Sequence, residues 1–235
     1  KLLNEYFEIM VACITDAGGM LDKFIGDAMM AGFGVPLPSE DAADAAVRSS
    51  IAMISELRKW NADRLKTDKM PVGMGVGVNT DNVVTGNIGS SKRMDFTMIG
   101  DGVNLAARLE GSCKTYGAQI IISEFTQTKL KGIYALRELD RIVVKGKTEP
   151  VSIFEVLDFH DDETFPARMD VVGHFTEGLA HYRNIKFDDA IRSFKAALDA
   201  NSEDVPSKLY IERCELFKKS PPPKDWSGEW VMTEK

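Results

Sequence analysis

The fold is decided by residues 95–110, which read DFTMIGDGVNLAARLE. A strand-like apolar run ends at Ile99, two glycines interrupt it, and a helix rich in Leu and Ala is predicted to follow. Asn104 and Arg108 are four residues apart on that helix, so they share one of its faces. An amide and a guanidinium held together near a helix start suit a ribose and a phosphate.

A second stretch, residues 23–31, reads KFIGDAMMA and places Asp27 in a tight turn between two apolar strands. Divalent metals such as Mg²⁺ prefer carboxylate oxygens as ligands. The alternative is an ordinary turn aspartate, because Gly-Asp is common in turns. Taken with residues 95–110, the second stretch favours a nucleotide and metal site.

Bulk composition restricts the class of protein. At 235 residues, 44% hydrophobic and 28% charged, the chain can hold one full domain and a smaller appendage. The net charge of -7 predicts no nucleic-acid partner. No polybasic stripe and no run of about 18 apolar residues occurs, which predicts no membrane contact from this segment. Three widely spaced cysteines favour a reducing compartment, so we expect the cytoplasm, or the cytoplasmic part of a larger or membrane-attached protein.

The order of predicted elements indicates an α+β fold over residues 1–158. A helix, a hairpin, a long helix and a second hairpin are followed by alternating strands and helices. This order suits a ferredoxin-like core, a mainly antiparallel sheet with packed helices, whose expected first strand is missing because the chain opens on a helix. Residues 72–78 alternate glycine with apolar residues and are predicted to form a central strand with little room on one face.

The pattern changes after residue 158. Residues 159–166 are predicted to be a linker, residues 167–219 a small α-helical unit, and residues 220–235 an extended tail. The spacing of small and aromatic residues in the helical unit is that of the packing positions in a tetratricopeptide helix pair, namely Gly178, Phe187, Ala190, Phe194 and Ala197. One such repeat cannot bury its own apolar face, so we expect it to pack on the main domain or on a partner.

Four blocks occur in an order and spacing that resembles the class III nucleotidyl cyclases of bacterial type. They are KFIGDAMMA (23–31), FTMIG (96–100), VNLAARL (103–109) and VKG (144–146). The resemblance implies a cyclase homology domain, which converts a nucleoside triphosphate to its 3′,5′-cyclic monophosphate and pyrophosphate. It also implies a head-to-tail homodimer with shared active sites, each holding two ions of Mg²⁺ or Mn²⁺.

The resemblance further assigns roles to individual residues. It implies that Asp27 is one of two metal aspartates, that Asn104 orients the ribose, and that Arg108 stabilises charge on the phosphates in the transition state. Lys145 corresponds to a lysine that meets the triphosphate, with Lys147 as a nearby competitor. The alternatives are a solvated helix cation for Arg108 and a surface strand lysine for Lys145.

Lys23 and Thr97 align with the two residues that read the purine in this family. A lysine ammonium can donate to adenine N1, and a threonine hydroxyl can accept from the 6-amino group. Guanine presents O6 and N1–H at those positions, and the related guanylyl enzymes usually place Glu and Cys or another small residue there. The Lys/Thr pair therefore favours ATP and an adenylate cyclase, with a guanylate cyclase as the alternative.

The resemblance implies that each active site uses both chains of the dimer. Asp27 of one chain serves the site to which the other chain contributes Lys23, Thr97, Asn104, Arg108 and Lys145. The family's first metal aspartate lies in its first strand, and no matching motif is present here, so this fragment is expected to lack it. A catalytically inactive cyclase-like dimerisation module is therefore a further alternative. Family members often carry sensor domains, so we also expect one upstream.

Overall fold

The computed structural model describes residues 1–143, 149–223 and 226–231. Its helices are α1 (Leu2–Asp16), α2 (Ala42–Leu65), α3 (Asp101–Tyr116), α4 (Glu124–Gln127), α5 (Arg168–Arg183), α6 (Phe187–Ala200) and α7 (Val205–Lys219). Its strands are β1 (Met20–Ile25), β2 (Ala28–Gly32), β3 (Val76–Val78), β4 (Val84–Ser90), β5 (Arg93–Ile99), β6 (Ile120–Ser123), β7 (Leu136–Val143), β8 (Val151–Val156) and β9 (Trp230–Val231). The predicted α+β fold is confirmed. Within these ranges, no helix has both the length and the apolar character needed to cross a membrane.

Five strands form one mixed sheet in the order β3-β6-β8-β7-β9. The β6–β8 and β8–β7 pairs are antiparallel, whereas β3 and β9 join the sheet in parallel at its two edges. The hairpins β1–β2 and β4–β5 are separate antiparallel pairs. The prediction of a central strand at residues 72–78 is wrong, because β3 is shorter and has β6 as its one strand neighbour in the described chain.

Helices cover both faces of the five-stranded sheet. Ile120 and Ile122 of β6 belong to the same apolar cluster as Ile54 of α2. Ile121 between them belongs instead to the cluster that contains Leu109 of α3. Successive side chains of a strand point to opposite faces of its sheet. The helices α2 and α3 therefore lie on opposite sides of β6.

Helix α3 lies against β3 at a separation that requires glycine. A Cβ atom on Gly77 would lie 2.2 Å from the carbonyl oxygen of Ala106, and Gly75 is also tightly packed against α3. The predicted lack of room on one face of this strand is confirmed. The close approach holds α3, which carries Asn104 and Arg108, directly on the sheet edge.

The helices α5, α6 and α7 share an aromatic core that includes Phe175, Tyr182, Phe194 and Tyr210. Gly178 allows α5 to approach α6, because a Cβ atom there would lie 2.5 Å from the Phe194 ring. All the positions predicted to be packing residues of the helix pair are buried. The tetratricopeptide-like assignment and the domain boundaries stay predictions.

The helical unit packs on β7 through buried ion pairs. Arg137 of β7 bonds both Glu155 of β8 and Asp204, the residue before α7, with N–O distances of 2.6 Å. Asp140 of β7 pairs with Arg213 of α7, and every one of these side chains is at most 4% exposed. Of the two expected packing surfaces, the main domain or a partner, the structure shows the main domain.

The tail contributes a strand that the sequence did not predict. Trp230 lies opposite Ile142 in the parallel pair formed by β7 and β9. Its ring centre lies 4.1 Å from the guanidinium carbon of Arg213, while the Trp226 ring packs 5.1 Å from that of Tyr182. A strand this short has no periodicity of its own to read, so its pairing depends on the neighbour that the fold supplies.

Candidate active site

The β1–β2 hairpin carries Lys23 and Asp27. Ile25 pairs with Ala28, so Gly26 and Asp27 form a two-residue turn. Gly26 has φ of 66°, a left-handed conformation that glycine adopts without steric cost. Lys23 and Asp27 are both exposed. The hairpin therefore presents a carboxylate at its tip and an ammonium on its first strand.

The turn at Asp27 lies within electrostatic range of Tyr6 on α1. Burial raises the pKa of the Tyr6 hydroxyl on α1, and the negative charges of Asp27 and Glu110 add to that rise. Glu110 belongs to α3. The hairpin tip and Glu110 of α3 are therefore both within electrostatic range of Tyr6 on α1.

The metal-binding capacity of one chain is incomplete as far as the structure describes it. Asp27 offers the hard oxygen ligand that Mg²⁺ and Mn²⁺ prefer. In residues 1–143, 149–223 and 226–231, no group of three or more His, Cys, Asp or Glu side chains could hold a metal ion. The donor type fits the predicted ions, but these residues supply only part of a coordination shell.

One buried carboxylate contacts both of the predicted purine-reading residues. Asp22 interrupts the register of β1, where a bulge lies between Leu21 and Lys23. The Thr97 hydroxyl donates to Asp22 Oδ2 at 2.7 Å, and the backbone N–H of Met98 donates to the same oxygen at 3.3 Å. The other oxygen, Oδ1, lies 3.8 Å from Lys23 Nζ. The structure thus brings Lys23 and Thr97, which lie on different hairpins, to a single carboxylate.

Asp22 was not among the site residues predicted from the sequence. Its side chain has no exposed surface, and acidic side chains are almost never fully buried unless they are paired. A signal for it was present, because an aspartate interrupts the otherwise apolar start of β1, MLDKFI. The sequence gives no indication of which residue is its partner, because Thr97 lies on a strand far away in the chain.

Asn104 and Arg108 lie on consecutive turns of α3. The first turn of this helix is held by the Asn79 side chain, which donates to the carbonyl of Gly102 at 3.0 Å. Asn104 is exposed and Arg108 is partly exposed. In the part of the chain that the structure describes, neither side chain is engaged in a hydrogen bond or an ion pair. Both polar groups are therefore free to contact a ligand that lies along this face of the helix.

Lys145, the predicted triphosphate ligand, lies outside the described residues, as does its competitor Lys147. The structure thus groups Lys23 with Thr97, and Asn104 with Arg108. Asp27 stands apart at the hairpin tip.

The main domain matches a known family and several relatives. The family model described as "Adenylate and Guanylate cyclase catalytic domain" matches residues 1–156. A terminal-differentiation specific adenylate cyclase of Dictyostelium discoideum is 34% identical over 218 residues, which are 90% of this chain and 10% of that protein. An adenylate cyclase of Anabaena cylindrica is 40% identical over 163 residues, which are 66% of this chain and 32% of that protein. The chain therefore spans at most about a third of the length of these two relatives.

Solved structures share the fold of the same region. The guanylyl cyclase Cya2 is 38% identical with a TM-score of 0.61, covering 66% of this chain and 77% of that one. The adenylyl cyclase CyaB from P. aeruginosa is 35% identical with a TM-score of 0.59, covering 68% of this chain and 83% of that one. The similarity to the Dictyostelium protein covers more of the chain than the family model does, so it continues into the helical unit.

Proposed function

This chain belongs to the family of adenylate and guanylate cyclase catalytic domains, and we propose that it converts ATP to 3′,5′-cyclic AMP and pyrophosphate at the interface of a homodimer. The observation that carries the choice of ATP is the contact of Lys23 and Thr97 with one carboxylate. The carboxylate holds an ammonium donor beside a hydroxyl, and these two groups match N1 and the 6-amino group of adenine. The relatives from Dictyostelium discoideum and Anabaena cylindrica, both named adenylate cyclases, support the same choice.

The proposed reaction is an in-line displacement at the α-phosphorus. The ribose 3′-oxygen forms a bond to phosphorus and releases its proton, the bond from that phosphorus to the oxygen bridging to the β-phosphate breaks, and pyrophosphate leaves. The exposed amide of Asn104 would orient the ribose. Arg108, one turn further along the same face, would bind the phosphate oxygens as negative charge grows on them. Lys145 would meet the triphosphate.

Asp27 would hold divalent metal together with a second carboxylate. When bound, Mg²⁺ or Mn²⁺ makes the 3′-hydroxyl more acidic and neutralises triphosphate charge. The contribution of this chain is the position of Asp27, which a two-residue turn presents to solvent beyond the end of β1. A carboxylate placed at a hairpin tip can reach a site on another chain, which fits a composite active site.

Exposed apolar side chains support the homodimer. Phe24 and Ile25 on β1 are 47% and 58% exposed, and Met94 and Ile99 on β5 are 59% and 49% exposed. The strands β1 and β5 adjoin through the Asp22–Thr97 hydrogen bond, so these side chains lie on neighbouring hairpins. Apolar groups concentrated beside a functional site often mark a protein–protein interface. We place the second chain there, where its Asp27 can complete the site.

Two alternative functions are each favoured by one observation, and the test below distinguishes them. A guanylate cyclase is favoured by one observation, the 38% identity to the guanylyl cyclase Cya2. An inactive dimerisation module is favoured by the incomplete set of metal ligands. The cytoplasmic location and an upstream sensor domain are part of the proposal as well.

The direct test is turnover by the full-length gene product. We expect cyclic AMP from ATP in the presence of Mg²⁺ or Mn²⁺, measured by chromatography, and less cyclic GMP from GTP at equal substrate concentration. A greater yield of cyclic GMP would support the guanylate cyclase instead. Absence of both products with either metal would support the inactive module.

Complementation tests the composite site. A chain with Asp27→Ala and a chain with Arg108→Ala should each be nearly inactive alone. Mixed heterodimers should regain activity, because they contain one site with both residues intact. Confirmed heterodimers that stay inactive would contradict a site shared between chains.

A further inference from the structure

The buried carboxylate of Asp22 is not accounted for by stability alone. An ionised carboxylate without exposed surface is costly unless it is paired and its lone pairs are satisfied. Asp22 Oδ1 has no hydrogen-bond partner within the described residues, and Lys23 Nζ stays 3.8 Å away from it. The bulge in β1 nevertheless directs this side chain inward, toward Thr97 on the neighbouring hairpin.

We propose that Asp22 is a positioning residue that selects adenine over guanine by fixing the direction of the Thr97 hydroxyl and the place of the Lys23 ammonium. The inference rests on the proposed function, since it concerns the purine of the same substrate. It adds a residue that does not itself touch the base and acts through the two that do.

The direction of the Thr97 hydroxyl follows from the chemistry of its partner. An ionised carboxylate can only accept hydrogen bonds, so the proton of the Thr97 hydroxyl must point at Asp22. The remaining lone pairs of Thr97 Oγ1 can then only accept from a ligand. The 6-amino group of adenine is a donor and fits this arrangement, whereas O6 of guanine is an acceptor and meets another acceptor.

The backbone of β5 keeps this arrangement in place. The Met98 N–H donates to the same oxygen that binds Thr97, so Oδ2 is held on the β5 side and Oδ1 faces Lys23. The negative charge at Oδ1 draws the ammonium of Lys23 toward the base-reading hydroxyl. An ammonium is also a pure donor, which suits N1 of adenine and opposes N1–H of guanine.

A purely structural role for Asp22 makes a different prediction. The carboxylate would then only tie the first hairpin to the second, and its loss would weaken turnover of ATP and GTP equally. The ratio of the two kcat/KM values therefore separates positioning from structural support.

The test uses Asp22→Asn in the full-length gene product. The carboxamide has nearly the same shape but carries no charge to attract Lys23, and only one of its two ends can accept a hydrogen bond. If its oxygen keeps the contacts with Thr97 and the Met98 N–H, its NH₂ group faces and opposes the ammonium of Lys23. If its NH₂ group faces Thr97 instead, the hydroxyl proton can turn toward the ligand. We expect the ratio of kcat/KM for ATP over GTP to fall about 3- to 10-fold, the value of one hydrogen bond, mainly through a higher KM for ATP. Asp16→Asn, at the exposed end of α1, is the matched control and should leave the ratio unchanged.

A double-variant cycle tests whether Asp22 acts through Thr97. Thr97→Val should lower the ratio by itself, and adding Asp22→Asn should lower it further by less than Asp22→Asn does alone, because only the contact with Lys23 then remains to be lost. Thr97→Ser keeps the hydroxyl and should keep most of the preference for ATP. Fully additive effects of Asp22→Asn and Thr97→Val on the ratio would overturn the action of Asp22 through Thr97.

Binding measurements keep the test independent of turnover. The 3′-deoxy analogues of ATP and GTP lack the attacking hydroxyl, so calorimetry can compare their dissociation constants in each variant. If Asp22→Asn does not fold, Asp22→Ser is used, since its hydroxyl can also donate. An unchanged ratio in a folded Asp22 variant, or equal losses for both nucleotides, overturns the inference. If the wild-type protein binds the ATP analogue selectively but makes no cyclic nucleotide, the proposed reaction is refuted, and the role of Asp22 is then judged from the ratio of the two dissociation constants. If the protein binds neither analogue, the proposed function and the role of Asp22 are both overturned.

Discussion

The ion pair between Arg213 and Asp140 is one of the buried contacts that attach the helical unit to the sheet. Arg213 donates to Asp140 and also to the Tyr116 hydroxyl at 3.3 Å, and its guanidinium carbon lies 4.1 Å from the centre of the Trp230 ring. The two charged side chains are 3% and 0% exposed. Replacing Arg213 with methionine keeps much of the apolar length of the side chain but removes the cation. The Asp140 carboxylate would then stay buried beside Tyr116 with no counter-charge from α7.

The expected loss of stability in Arg213→Met follows from the burial of this ion pair. Removal of one partner of a buried ion pair costs about 3–5 kcal/mol, because the remaining charge is left without compensation. For a chain of this size, about 1 kcal/mol corresponds to about 2–4 °C in Tm, so Arg213→Met should lower Tm by about 6–20 °C. Arg192→Met is the matched control, because Arg192 pairs with Asp189 while 79% exposed. An exposed pair contributes about 1 kcal/mol or less, and the control should shift Tm by at most about 4 °C.

Circular dichroism or calorimetry on both variants measures the difference. The double variant Arg213→Met with Asp140→Asn should regain part of the lost stability, since it removes the uncompensated charge and keeps an acceptor for Tyr116. A Tm for Arg213→Met equal to that of Arg192→Met would refute the claim that the buried Arg213–Asp140 pair stabilises the attachment of the helical unit. So would a double variant less stable than Arg213→Met alone.

Three further predictions follow from single features of the structure. If Arg108 binds the phosphate oxygens as proposed, Arg108→Ala should lower kcat about 10²- to 10³-fold without changing Tm, because the side chain is partly exposed; near-normal turnover would remove Arg108 from the proposed mechanism. Gly77→Ala should destabilise the fold by about 1–3 kcal/mol in urea titration, because its Cβ would clash with α3, whereas Gly86→Ala has open space and is the control; equal losses would contradict the packing. Burial lowers the pKa of His160 to about 4 from its usual 6.5, helped by nearby arginine charges, so the unfolded chain binds an extra proton between those values. The contribution of neutral His160 to the free energy of unfolding should therefore be fully present above pH 6.5 and fall by about 1–2 kcal/mol toward pH 4, a value reduced for partial solvation. Denaturant titrations at several pH values should show a smaller fall in His160→Gln. The same fall in His160→Gln as in the wild type would show that His160 is not responsible.

Much of the main domain could be predicted from local sequence. The helix that carries Asn104 and Arg108 follows its strand after Gly100, and the first hairpin turns at Gly26 and Asp27, because glycines and apolar periodicity act on neighbouring residues. The order of these elements was enough to predict the fold class. The five described site residues lie on the predicted elements, while their roles are still tested only by the experiments above.

Contacts between distant segments could not be predicted in the same way. The edge position of β3 depends on which strands pair with it, and the pairing of Trp230 with Ile142 joins the tail to a strand far earlier in the chain. Neither pairing has a local signal, because a strand of two or three residues is too short to show a period. The attachment of the helical unit likewise depends on charges that become partners only when both segments are buried together.

By itself the sequence determined the residue types of the candidate site, the family that they resemble, and the helices and strands on which they lie. Only the tertiary structure decided that Asp22 contacts both Lys23 and Thr97. The physical reason is that local periodicity assigns a residue to an element and a face, whereas hydrogen bonding between two hairpins depends on how those hairpins pack. A buried aspartate in an apolar strand indicates that a partner must exist, and the fold identifies that partner as the hydroxyl that reads the base in the proposed site.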